Sequence, residues 1–222
     1  MPDIAAFVGS AAMIAIYYVF LVLKARSDPT YTIHGVNQIA RGLWVANVMN
    51  NPSKDIMAVQ TLRNFIMGAS LMGSTATLLI IGTLTLSGQA ENIARNWHVL
   101  NAVGSHAAEI WIIKVLALLV DFIVAFFAFA MSVRLINHVV FMLNIPDHHM
   151  HPELVVHNVA RRLNRAGNLF AVGLRAFFFA VPLVFWLFGP AFLVIATAGL
   201  IISLYLLDRS HQSPAGPLGS QS

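Results

Sequence analysis

Between Ile4 and Leu23 the chain runs for 20 residues without a charged side chain, and between Phe65 and Ala90 for 26. At 1.5 Å rise per residue, either run crosses roughly 30 Å of hydrocarbon as a helix. Runs of this length restrict the fold severely, because inside lipid each backbone N–H and C=O must find its partner within the segment itself. The wider composition agrees: 58% of the 222 residues are hydrophobic and 10% charged, with mean hydropathy +0.75, against about a quarter charged in a soluble domain. A soluble multidomain enzyme, a disordered tail protein and a secreted disulfide scaffold are therefore poor fits. The chain has no cysteine, which excludes disulfides, Cys-ligated zinc, iron-sulfur clusters and thiol nucleophiles.

Two further blocks complete the count of crossings. One begins near Ile110 and runs past Met131, carrying Lys114, Asp121 and Arg134 in an otherwise apolar pattern. Lys114 and Arg134 lie about 30 Å apart along a helix, so both are expected to snorkel to opposite interfaces while Asp121 stays inside. The other, Asn168 to Leu207, would be about 60 Å long as one helix, twice what a bilayer holds. Gly189-Pro190 at its middle predicts two spans joined by a tight turn, with a kink at Pro182. The expected fold is all-α: an integral membrane bundle of five transmembrane helices, or four plus a re-entrant segment, with interfacial amphipathic helices. It forms one domain over 1–210, and 211–222 reads as a disordered polar tail in which Gly216 to Ser220 resembles a cloning remnant.

The net charge is +4, and membrane orientation accounts for it without nucleic acid. Five of the 13 basic residues lie between Lys24 and Arg63 and five between Arg134 and Arg175, but only two between Glu91 and Lys114. The excess of Lys and Arg on cytoplasmic loops then puts the N-terminus outside and the C-terminus inside. Arg161, Arg162 and Arg165 extend a basic belt suited to anionic lipid. His34 to Met49 has helical apolar spacing at Val36, Ile39, Ala40, Leu43, Trp44 and Val48, which suits a helix on the cytoplasmic interface or one packed on the bundle. Ala90 to Glu109, with Trp97 as an anchor, is its expected counterpart on the other side.

Three groups of residues invite chemistry. Ala69, Gly73 and Thr77 form a small-x-x-x-small ridge, a packing seam first and a wall of a permeation path second. On the third span Lys114, Ala117, Asp121, Ala125, Ala128 and Ser132 share one face that must look inward. An intramembrane carboxylate costs several kcal/mol unless paired, hydrated or protonated, so Asp121 is either half of a structural ion pair or a titrating ion or proton site. Lys114 is about 10 Å away along the axis, which makes Arg175 the better partner. Finally, His148, His149, His151 and His157 fall within a short stretch with Met150, a donor set suited to copper, zinc or nickel but without an i, i+4 pair. A solvated turn is the plainer reading, and no cofactor is otherwise expected. There is no phosphate loop, His-Glu-x-x-His helix or Gly-x-Ser-x-Gly elbow, so nothing points to an enzyme.

Three stretches, Ala58-Val59-Gln60-Thr61-Leu62-Arg63-Asn64, then Phe126-Phe127-Ala128-Phe129 with Ser132 and Arg134, then Gly173 to Phe179 running into Pro182, Trp186 and Phe188-Gly189-Pro190, resemble a membrane family of bacteria and plants. It is domain-of-unknown-function family five hundred and ninety-nine. With Arg41 and Trp44 the resemblance covers nearly the whole chain, and it implies an integral membrane protein of several helices without supplying an activity. A bacterial inner membrane is the expected location. The resemblance directs attention to Gln60, Arg63, Asn64, Arg134 and Arg175 as one cytoplasmic-side cluster able to bind an anion, a lipid phosphate or Asp121. The leading expectation is a channel- or transporter-like homo-oligomer with Asp121 and Arg63, Arg134 and Arg175 on its polar path, and Phe177, Phe178, Phe179, Phe185 and Trp186 facing lipid or a neighbouring subunit. The alternative is an accessory or scaffolding subunit of a larger membrane complex. For the His-rich loop, elemental analysis of purified protein decides: a solvated turn gives no stoichiometric copper, zinc or nickel, and a metal site gives one.

Overall fold

A computed structural model of the protein describes residues 2–88, 108–145, 151 and 154–209. These fold into six α-helices: α1 (Pro2–Ser27), α2 (Ile33–Met49), α3 (Asp55–Gly88), α4 (Ala108–Leu143), α5 (Val156–Phe188) and α6 (Pro190–Asp208). All but α2 are long and apolar enough to cross a membrane, so the chain is an integral membrane protein. The α5–α6 break falls at the predicted Gly-Pro. Gly189 has φ 151°, a left-handed value that L side chains avoid, and Pro190 opens α6 at the first helical position, where a missing N–H costs nothing. A single residue therefore reverses the chain, and the re-entrant alternative gives way to five spans. Pro182 lies inside α5 without ending it.

The spans alternate in direction. Near the start of α1, the first face, lie the start of α4 and the α5–α6 turn; the ends of α1, α4 and α6 gather at the second face with α2. There Asp28 Oδ1 accepts from the Thr30 amide (2.8 Å) and hydroxyl (2.6 Å), and Thr32 caps α2 by accepting from the Gly35 amide at 3.1 Å. These two motifs turn the chain back onto the bundle. Of the expected segment Ala90 to Glu109, all but Ala108 and Glu109, which open α4, lies outside the described residues, as does the tail.

In lipid, apolar burial gives helices little reason to associate, so small residues that permit close approach matter most. The α4–α5 contact is the most extensive and shows this directly. Ser132 Oγ donates to the Ala166 carbonyl at 2.8 Å, fully buried. Phe129 inserts against Gly173 and lies between Phe170 (5.5 Å between centroids) and Phe177 (5.4 Å). On α3 the buried positions are Ala58, Leu62, Ala69, Ala76 and Thr83. From Leu62 onward this is a seven-residue repeat, the spacing of a left-handed helix pair. Of the predicted ridge, Ala69 is buried in the seam and Gly73 is half-buried beside it, where a Cβ would lie 3.7 Å from Phe129, while the repeat passes on to Ala76 and Thr83 and leaves Thr77 exposed and bonded to the Gly73 carbonyl.

The inward face predicted for α4 is the buried one: Lys114, Ala125, Ala128 and Ser132 are buried and Ala117 and Asp121 half-buried. The α5 aromatics divide differently from the expectation. Phe178 and Phe185 are exposed, but Phe177 and Phe179 are half-buried and Trp186 is only 2% exposed. Trp186 follows Gly173, Ala176 and Ala180 on the buried face of the helix, which places it in the core. In α2 both readings hold in part: Val45, Val48 and Met49 are buried against α4 and α5, while Val36, Ile39 and Leu43 are exposed.

Gly173→Ala should lower stability by about 1–3 kcal/mol through overpacking, since the new Cβ would lie 2.7 Å from the Phe129 ring and that ring cannot retreat. Gly199→Ala, with no neighbour within 4 Å, should be near neutral. Thermal unfolding in detergent compares the two.

Candidate functional site

Two polar clamps hold α1, and a cleft lies between them. At the first face Asp3, in the opening turn of α1, meets Lys114 of α4 with Oδ1–Nζ 2.7 Å. Asp3 is fully buried and Lys114 2% exposed. The Lys114 ammonium also stands over the Trp186 ring at 5.6 Å, and Phe7 stacks on that ring at 4.7 Å with 14° between planes. Lys114 thus does not snorkel to an interface: its charge is neutralised inside the protein by an acid from another helix, supplemented by the π-face of Trp186.

At the second face Arg175 Nη2 lies 3.6 Å from Asp208 Oδ1 and its guanidinium 5.4 Å from the centroid of Tyr18. The Tyr17 hydroxyl donates to Asp208 Oδ2 at 3.0 Å. The end of α6, the middle of α5 and α1 are thereby tied together, and Thr32 pairs with Arg209 beside them. Arg175 is therefore not the partner of Asp121. It takes the acid at the end of the adjoining helix.

Between the clamps a cleft of about 710 Å³ opens along α1 and α4, floored by α5 and α6. Its walls are apolar: Phe7, Ile14, Leu116, Val120, Pro182 and Leu193 among others. Three polar side chains interrupt them at one depth, Ser10, Asp121 and Thr197, each two turns, or about 10 Å, beyond Asp3, Lys114 and Pro190. Thr197 satisfies itself on the Leu193 carbonyl at 2.8 Å. Ser10 Oγ and Asp121 Oδ2 are buried with no hydrogen-bond partner among the described residues. Asp121 thus faces the cleft with a carboxylate that neither Lys114 nor Arg175 neutralises.

The other predicted polar residues do not converge on it. Gln60, Arg63 and Asn64 on α3 and Arg134 on α4 are all exposed, so the expected path from Asp121 through Arg63, Arg134 and Arg175 is not assembled among the described residues. The reason is rotational: they occupy the faces of α3 and α4 turned away from the seam. His148 and His149 lie outside the described residues, His151 and His157 are exposed, and no metal-binding group occurs among the described residues.

A polar seam between α2 and α5 completes the second face. His34, Gln38, Arg41, Val45 and Val48 form one stripe of α2 at helical spacing, all buried or half-buried. Gln38 Nε2 is 3.1 Å from His34 Nε2 and donates to Asn168 Oδ1 at 3.4 Å; Arg41 Nη1 donates to Asn164 Oδ1 at 3.3 Å, and Asn164 Nδ2 to the Gln38 carbonyl at 3.2 Å. Burial first, then the Arg175 and Arg41 charges, hold the His34 imidazole below its ordinary 6.5, with Asp208 opposing. Burial likewise lowers Arg41 from its ordinary value. Asp3, Asp208, Arg41 and His34 are the residues that sequence reasoning missed. Asp3 and Asp208 sit at helix ends, where acids look like ordinary caps, but the 34/38/41/45/48 stripe was available as a periodicity.

Together these features describe a five-span helical membrane protein with a side-opening apolar cleft and one uncompensated acid in it. The chain belongs to the family described as "Protein of unknown function, DUF599", whose model matches residues 5–213. No curated protein and no solved structure matches the chain.

Two predictions follow from the clamps and the seam. Lys114→Met should cost about 3–5 kcal/mol by taking the ammonium counter-charge away from buried Asp3, and Asp3→Leu added to it should recover most of that, as denaturation in mixed micelles would report. Because the folded His34 pKa is depressed, its contribution to stability is present above about 6.5 and lost as pH falls through the lowered value. The detergent melting temperature should therefore drop between pH 7 and 5, less steeply in His34→Gln.

Proposed function

We propose that this protein is a channel- or transporter-like membrane protein that takes amphipathic cations from the bilayer through the cleft between α1 and α4. The observation that carries this reading is Asp121, which lines a largely apolar cleft and whose Oδ2 is buried with no hydrogen-bond partner among the described residues. A carboxylate at that depth is costly without a counter-charge, and none of the described residues supplies one. An ammonium or phosphonium centre held by a hydrophobic body would supply the charge to Asp121 and the apolar surface to Phe7, Ile14 and Leu116. The Ser10 hydroxyl would accept or donate a further hydrogen bond.

The rim is apolar as well, since Ile113, Leu116, Val120 and Val124 both line the cleft and are exposed. A substrate can therefore arrive sideways from lipid. Release would proceed by movement of α1, which is attached chiefly through α6 and the two clamps. The clamps are polar and few, so they can break and reform at a cost that side-chain packing along a whole helix would not permit. On the distribution of Lys and Arg, the second face is cytoplasmic.

The test is uptake of a lipophilic cation such as tetraphenylphosphonium into proteoliposomes. Saturable uptake should fall at least tenfold in Asp121→Asn, with a melting temperature no lower than wild type, and partly return in Asp121→Glu. Equal uptake by wild type and Asp121→Asn would overturn the reading. Absence of flux together with loss of a co-purifying membrane partner in Asp121→Asn would replace it with the scaffolding role.

A further inference from the structure

The α2–α5 seam carries a second, separate feature. Arg41 reaches across from α2 and lies flat against α5 at Gly167, where any side chain would collide with the guanidinium. Its one hydrogen bond among the described residues goes to a neutral acceptor, Asn164 Oδ1, and no carboxylate pairs with it. Of the acids on this side of the bundle, Asp28 accepts from Thr30, and Asp208, whose charge reaches the seam at His34, is already engaged by Arg175 and Tyr17. Around the His34 imidazole two cations, Arg41 and Arg175, thus meet one occupied carboxylate, and the Gln38 and Asn168 amides border the same seam. A half-buried guanidinium with free donors in such surroundings is poorly compensated by its own protein.

We infer that the α2–α5 seam binds a phosphate group through the Arg41 guanidinium, with Asn164 and Gly167 holding the fork in place. The planar fork presents parallel N–H donors that match two phosphate oxygens, which a point-charge ammonium does not. The phosphate can come from a lipid headgroup or from a free anion. A lipid source is physically accessible: Val36, Ile39 and Leu43 on the opposite side of α2 are exposed and would lie among acyl chains while the headgroup reached Arg41. This site is independent of the Asp121 cleft and stands whether or not that cleft transports anything.

The experiment uses the full chain, delipidated in non-ionic detergent at fixed ionic strength, with melting temperature read against three additives: dioleoyl phosphatidylglycerol, dioleoylglycerol and inorganic phosphate. Phosphatidylglycerol should raise the midpoint by several degrees and dioleoylglycerol should not. A response to inorganic phosphate as well assigns the site to free phosphate; a response to the lipid alone assigns it to a headgroup. Arg41→Gln should need at least tenfold more additive for the same shift, while Arg26→Gln, at an exposed arginine near the end of α1, should respond as wild type. Should Arg41→Gln fail to fold, Arg41→Lys keeps the charge without the fork and should bind at least fivefold more weakly. The inference is overturned if dioleoylglycerol matches phosphatidylglycerol, if no phosphate source shifts the midpoint, or if the folded Arg41 variant responds as wild type.

Discussion

The architecture depends on how closely α4 and α5 can approach. In hydrocarbon there is no water to expel from between helices, so association rests on van der Waals contact and the few hydrogen bonds that can be made. Gly173 lets Phe129 enter the α5 surface, and Ser132 reaches the Ala166 carbonyl across the same seam. Once these two helices are joined, α3 docks along α4 through Leu62, Ala69, Ala76 and Thr83, and α6 is pinned beside α5 by the one-residue turn at Gly189. Without that close approach the remaining helices would lack a surface to dock on.

α1 is attached by a different principle. Its middle is largely exposed, and polar interactions at two levels hold it: Asp3 with Lys114 at its start, and further along Tyr17 with Asp208 and Tyr18 with Arg175. This pattern leaves the space between α1 and α4 unfilled, and the cleft is the direct consequence. The same device explains why so few charges occur in the spans. Each cation buried among them is matched by an acid or an aromatic face, and Asp121 is the exception on which the functional proposal turns.

Much of this was readable from residue order. The inward face of α4 follows from Lys114, Ala117, Asp121, Ala125, Ala128 and Ser132 recurring at helical spacing, and the division of the last block from a Gly-Pro pair at its centre. The pairing of Asp121 with Arg175 and the convergence of Arg63 and Arg134 on it were not realised. Those expectations used depth alone, and depth does not say which way a helix is rotated. Gln60, Arg63 and Asn64 share a depth with the second-face network but point away from it. Trp186 was misplaced for a related reason, since a run rich in phenylalanine conceals which of its aromatics continues the small-residue stripe.

The order of amino acids by itself determined that the chain is a helical membrane bundle and where its apolar stretches lie, because crossing a bilayer is a local requirement met or failed by each segment in turn, but it left five spans and four plus a re-entrant segment both open. Only the folded chain decided which charge answers which. Asp3 meets Lys114 across half of the chain, and Tyr17 meets Asp208 across nearly all of it. Such pairs depend on the rotation and tilt of helices packed against one another, and no single segment carries that information. That Asp121 has no partner among the described residues is likewise a property of the assembly, since Lys114 and Arg175 are engaged by Asp3 and Asp208.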